Sequence, residues 1–87
     1  MRDKVNPVYV YILKSEADRS YYCGHTNDLR RRMNFHNLGH HRATRGRRPW
    51  KLVHAYLDYS REEAMKLEYR IKRRGVKRFL KDLNKTK

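Results

Sequence analysis

The chain has 87 residues, a size that supports one domain with a small core. Its 23 Lys and Arg against 9 Asp and Glu leave a formal charge of +14, a field that concentrates polyanions and puts nucleic acid ahead of an anionic membrane as partner. No apolar run approaches the roughly 20 residues of a spanning helix. Cys23 is the only cysteine, which excludes a disulfide within the monomer.

Met1–Lys4 leads into a strand-like segment with no signal-peptide cleavage pattern, and with the lone cysteine this makes a reducing, cytoplasmic location the expected one. Pro7 marks a strand start, and Val8–Leu13 is β-branched and aromatic without a polar interruption. Alternation puts Val8, Val10 and Ile12 on one face and Tyr9, Tyr11 and Leu13 on the other. Neither face is polar, which predicts a central strand covered on both sides. Residues 15–20 are turn-forming, and Tyr21–His25 is the returning strand of a hairpin.

Thr26 or Asn27 is the expected cap of a helix with Asp28 in its first turn. Leu29 and Met33 mark its apolar side, Arg32 and His36 project together beside that stripe, and Asn37–Gly39 stop it. Residues 39–48 carry four arginines and no acid, and suit no regular element. Trp50–Leu57 alternates in part and is a third strand. Ser60 with Glu63 forms a capping box for a helix whose stripe is Ala64, Leu67 and Ile71. Gly75 breaks it, and Val76, Phe79, Leu80 and Leu83 define a second amphipathic helix before a frayed tail at 84–87. The fold class is a small α+β domain with a three-stranded, largely antiparallel sheet, in the order β-β-α-loop-β-α-α, spanning 1–87 with its core at about 7–83.

Glu68 falls about 40° from Ala64 and 60° from Ile71, at the edge of the buried stripe. A carboxylate there needs a cationic partner. Two readings stand: a salt bridge to a basic side chain, or a ligand for a hard divalent cation. Arg32 is either a solvated charge or a guanidinium aimed at a phosphate, where it would stabilise charge developing in phosphoryl transfer. His36 can move a proton near neutral pH, or cap, or pack. Tyr11 and Tyr22 are core filler or reactive phenols, and a phenol acts as a base only when a cation lowers its pKa.

The five histidines and Cys23 show no zinc-finger spacing, and Thr44, Ser20 and Ser60 no nucleophile elbow. The loop from His40 to Arg48 is the expected phosphate-contacting surface, with His40, Arg42, Arg45, Arg47 and Arg48 as its contacts and Arg31, on the preceding helix, as a further one. Trp50 or Tyr21 is available to stack on an unpaired base.

In order and spacing, these residues resemble the GIY-YIG nuclease domain, in its small single-domain bacterial branch. Tyr9-Val10-Tyr11 stands at the first motif and Tyr22-Cys23-Gly24 at the second. Arg32 stands at the family's arginine, His36 at a histidine of some members, and Glu68 at the metal-binding glutamate. The likeness covers roughly residues 7–80, and Thr44–Pro49 fits the small branch. Tyr9 replaces the first motif's glycine and Cys23 the second's isoleucine, neither a catalytic position. The resemblance implies a nuclease dependent on one Mg²⁺ or Mn²⁺ held by Glu68, with Tyr11, Tyr22, Arg32, His36 and Glu68 as catalytic groups. DNA is the implied substrate, branched or damaged structures among it, and DNA repair the implied setting. Which tyrosine serves as base stays open. Larger relatives add binding domains, so substrate choice here falls to the basic surface or a partner protein. The alternative is a DNA- or RNA-binding module of the same fold that cuts little or nothing.

Overall fold

The structure, a computed structural model, describes residues 7–58 and 60–85. Three strands, β1 (Val8–Ser15), β2 (Tyr21–Thr26) and β3 (Trp50–Asp58), form one antiparallel sheet in the order β2-β1-β3. The helices are α1 (Leu29–Asn37), α2 (Arg61–Arg74) and α3 (Val76–Lys85). This is the expected α+β architecture, with the apolar strand β1 at its centre.

Alternation along β1 builds two cores. Val8, Val10 and Ile12 join Cys23, Ala64 and Ile71 under α2 and α3, with Leu67, Phe79 and Leu80 packed around them. On the opposite face Tyr11, Leu13 and Trp50 are buried beneath Tyr22, Leu29 and Met33. A strand apolar on both faces is satisfied by layers on both sides.

Local differences from expectation have physical causes. Thr26 Oγ1 accepts the Asp28 N–H at 3.1 Å, which moves the helix start on by one position. Asp28 is therefore the N-cap of α1, its carboxylate accepting the Arg31 N–H at 3.0 Å, and is not a first-turn residue. β3 alternates only in part because a bulge shifts its register beside Ile12 and Leu13, and it extends to Asp58. The basic loop contains one 3₁₀ turn, Arg45–Arg47. Asn84 and Lys85 belong to α3, so the fraying expected of them is corrected, while residues 86 and 87 lie outside the described residues, as do 1–6. Ser60 caps α2 through the Glu63 N–H, and Gly75 ends it at φ +94°.

Candidate active site

Tyr11 pairs with Gly24 across β1 and β2. A Cβ added at Gly24 would lie 2.8 Å from Tyr11 Oη and 3.1 Å from the Tyr22 ring, so the missing side chain makes room for both phenols. Their rings stand 6.3 Å apart, on the sheet face covered by α1. Arg32 and His36 enter this face from adjacent turns of α1, and the charge of Arg32 acts on both phenols and on His36. Tyr11 Oη lies 2.9 Å from His36 Nε2, and His36 Nδ1 lies 2.8 Å from Thr44 Oγ1.

The direction of this chain follows from its end. Thr44 Oγ1 donates to the His41 carbonyl at 3.4 Å, which leaves the hydroxyl to accept from His36 Nδ1–H. His36 Nε2 is then the acceptor of the Tyr11 phenolic proton. Burial, then the neighbouring His41 and Arg32, push His36 down to about 4, so its ring is neutral at neutral pH. Burial raises Tyr11 well above the ordinary phenol range, with the charge of Tyr22 adding to it. Tyr22 is wired the other way. The Ala43 N–H donates to His41 Nδ1 at 3.2 Å, so the His41 proton sits on Nε2 and points to Tyr22 Oη at 3.4 Å. Burial also raises Tyr22, while Lys72 and Arg32 pull it down.

Glu68 comes from α2 on the opposite sheet face, beside the edge strand β2. Its Oε1 accepts from His25 Nδ1 at 2.6 Å and its Oε2 pairs with Lys72 Nζ at 2.6 Å. The salt-bridge reading of Glu68 is thus realised. Burial pushes its carboxyl up, but the hydrogen bonds from Lys72 and His25 outweigh this and hold it below the usual range. Its negative charge raises Tyr11, Tyr22 and Cys23, which places it within electrostatic reach of the tyrosine pair.

A family model described as the GIY-YIG catalytic domain matches residues 7–82 of this sequence. The chain belongs to the GIY-YIG family. It is 46% identical over 67 residues to a UPF0213 protein of Streptococcus pneumoniae, covering 76% of this chain and 67% of that protein. A UPF0213 protein of Halobacterium salinarum is 45% identical over 65 residues, covering 74% of this chain and 83% of the relative. The solution NMR structure of the UPF0213 protein BH0048 from Bacillus halodurans superposes with a TM-score of 0.57 at 40% identity, covering 93% of this chain and 85% of that one. A GIY-YIG domain suggests nuclease-type function, with nucleic acid as partner.

GIY-YIG nucleases generally depend on a divalent metal. Among the described residues no three His, Cys, Asp or Glu side chains gather into a group that could hold one. The donor set is a single carboxylate, which fits a Mg²⁺-like ion that keeps its waters and completes its shell with substrate phosphate, not a closed protein cage. Lys72 and His25 occupy both oxygens of that carboxylate, so a cation arriving there must displace an ammonium.

Residues assigned no role from the sequence contact the candidate ones. His25 and Lys72 flank Glu68, His41 meets Tyr22, and Thr44 is buried against His36. Lys72 was detectable as the i+4 partner of Glu68, and Gly24 as the residue facing Tyr11 in the hairpin. In the basic loop Arg42, Arg45 and His40 are exposed, as is Arg31 on α1. Arg47 is engaged internally: its guanidinium lies 5.0 Å from the Trp50 ring centre and donates to Ser20 Oγ and the Ala43 carbonyl. Arg48 donates from Nε to the Arg45 carbonyl. The stacking role expected of Trp50 is corrected, since Trp50 is buried with its indole N–H on the Thr44 carbonyl. Tyr21, its alternative, packs against the other core. Among the described residues no helix is long and apolar enough to cross a membrane.

Proposed function

We propose that this GIY-YIG domain is a divalent-metal-dependent endonuclease acting on DNA, branched or damaged structures among its substrates. The observation that carries this reading is the proton chain from Tyr11 through His36 to Thr44, built around a phenol whose proton is directed at a neutral imidazole. An attacking water gives its proton to Tyr11 Oη as the phenolic proton passes to His36 Nε2. The water oxygen bonds to phosphorus, the bond to the leaving oxygen breaks, and that oxygen takes a proton from solvent. Arg32 stabilises the added charge on the phosphoryl oxygens, and Tyr22, its oxygen held by His41, donates its own O–H to one of them. Glu68 is the residue to hold Mg²⁺ or Mn²⁺, which when bound supplies Lewis-acid polarisation of the phosphate. Arg31, His40, Arg42, Arg45 and Arg48 supply backbone contacts, with Arg47 supporting the loop that carries them. A protein partner is a second source of specificity, and a cytoplasmic site of action is consistent with the single buried thiol.

The test is cleavage of flaps, junctions and single strands with and without Mg²⁺ or Mn²⁺. Metal-dependent cleavage lost in Glu68→Gln is the expected result. Cleavage that survives Glu68→Ala unchanged overturns this mechanism. One observation favours the second reading, a DNA- or RNA-binding module that cuts little: Lys72 already neutralises Glu68. On that reading no metal supports cleavage, and Glu68→Ala leaves affinity intact or raises it.

A further inference from the structure

With Trp50 buried, the aromatic ring left at the surface beside Arg32 is Phe35, 36% exposed and outside both core clusters. The Arg32 guanidinium lies over this ring at 5.2 Å from its centre. Arg32, Phe35, Arg31, Thr26, Asn27 and Asp28 line one open cleft of about 490 Å³. That volume is within the roughly 300–1,000 Å³ of small-ligand sites. The guanidinium and the phenyl ring share the lining of this cleft with the polar residues Thr26, Asn27 and Asp28. The Asn27 side chain has no partner among the described residues, and only Oδ1 of Asp28 is used in capping α1.

The charge pattern selects what enters. Arg31 and Arg32 attract a phosphate to their side of the cleft, while the Asp28 carboxylate in the same lining repels one from its own. A neutral, flat heterocycle bearing N–H donors meets both conditions. It can stack on the Arg32–Phe35 pair and donate to Asp28 or Asn27. A base inside a duplex has its faces stacked and its pairing edge engaged, so only an unpaired one is available.

We infer that this cleft binds an unpaired nucleobase next to the scissile phosphate, making a nucleic acid with an unpaired nucleotide at the cut the substrate class. The inference rests on the nuclease reading for the cut and on the cleft alone for the base. Arg32 then joins two recognitions, the base on its guanidinium face and the phosphate at its edge.

The experiment is metal-free binding, in EDTA, of a DNA duplex with one bulged 2-aminopurine, against a fully paired duplex of equal length. Wild type is expected to quench the 2-aminopurine fluorescence and to favour the bulged duplex by roughly tenfold. In Phe35→Ala that preference falls to near unity and the fluorescence returns, while Phe35→Trp keeps both. No preference in wild type, or equal quenching in Phe35→Ala with thermal unfolding unchanged, overturns the inference. Because no metal is present, quenching by a protein that never cuts sinks the nuclease reading alone. Cutting without quenching sinks the base cleft alone.

Discussion

Lys72 sits one helical turn beyond Glu68 and holds its Oε2 at 2.6 Å, so the carboxylate proposed to hold a metal carries its own cation. The pairing raises Lys72 above its ordinary range, and Glu68 is lowered by the same contact despite burial. A divalent ion and this ammonium compete for one oxygen. Lys72→Met should therefore tighten Mn²⁺ binding several-fold, read by electron paramagnetic resonance of free Mn²⁺, and Glu68→Gln should abolish it. Unchanged Mn²⁺ affinity in Lys72→Met would remove Glu68 from the metal site.

His36 gives the fold an acid limit. Its pKa in the folded chain is about 4 against an ordinary 6.5, so between these values the unfolded chain binds a proton that the folded chain refuses. The contribution of the neutral ring is complete above about pH 6.5 and is lost progressively as pH falls toward 4. The expected loss is roughly 2–3 kcal/mol of unfolding free energy across that window, measured by urea denaturation. His36→Phe should flatten the pH dependence over the same interval. A wild-type curve that is flat from pH 6.5 to 4.5 would contradict the buried neutral imidazole.

Gly24 tests whether the phenol pair is set by space. Its absent Cβ leaves room for the end of Tyr11, a side chain 1% exposed and fixed by its bond to His36, so the ring has nowhere to retreat. Gly24→Ala should cost about 1–3 kcal/mol of stability by overpacking. It should also lower cleavage by at least tenfold, because Tyr11 Oη loses its alignment with His36 Nε2. A stable, fully active Gly24→Ala protein would show that Tyr11 is not held where the proposed chemistry needs it.

The strand and helix order was legible because β1 is apolar on both faces and α2 and α3 carry clear stripes between Ser60, Gly75 and the chain end. Arg32 and His36 were placed on one helix face from spacing alone, and Glu68 at a core edge. What pattern could not supply was pairing across the fold. His25 is 43 residues from Glu68 and His41 is 19 from Tyr22, and neither contact leaves a local signature. Trp50 looked exposed within a polar run, yet Arg47 covers its ring and Thr44 takes its N–H. A basic neighbour hid an aromatic residue's burial.

Arg45 and Arg47 stand two residues apart in the same loop and should separate binding from folding. Arg45 is exposed, and among the described residues only its backbone is engaged, which leaves its guanidinium to meet a phosphate. Arg47 joins Trp50, Ser20 and the Ala43 carbonyl, and its backbone carbonyl accepts from buried Ser15 Oγ at 2.6 Å. Arg45→Gln should weaken DNA binding and reduce the slope of log K against log salt by about 0.9, with the melting temperature unchanged. Arg47→Gln should cost about 1–2 kcal/mol of stability through the lost hydrogen bonds and ring contact. Its effect on binding should follow from loosening of the loop, with a smaller change in salt slope than Arg45→Gln gives. Salt titrations of fluorescence anisotropy, paired with urea denaturation of both variants, decide it. Equal slopes and equal stabilities would mean that the loop arginines are interchangeable surface charge and that the loop's internal bonds carry no weight.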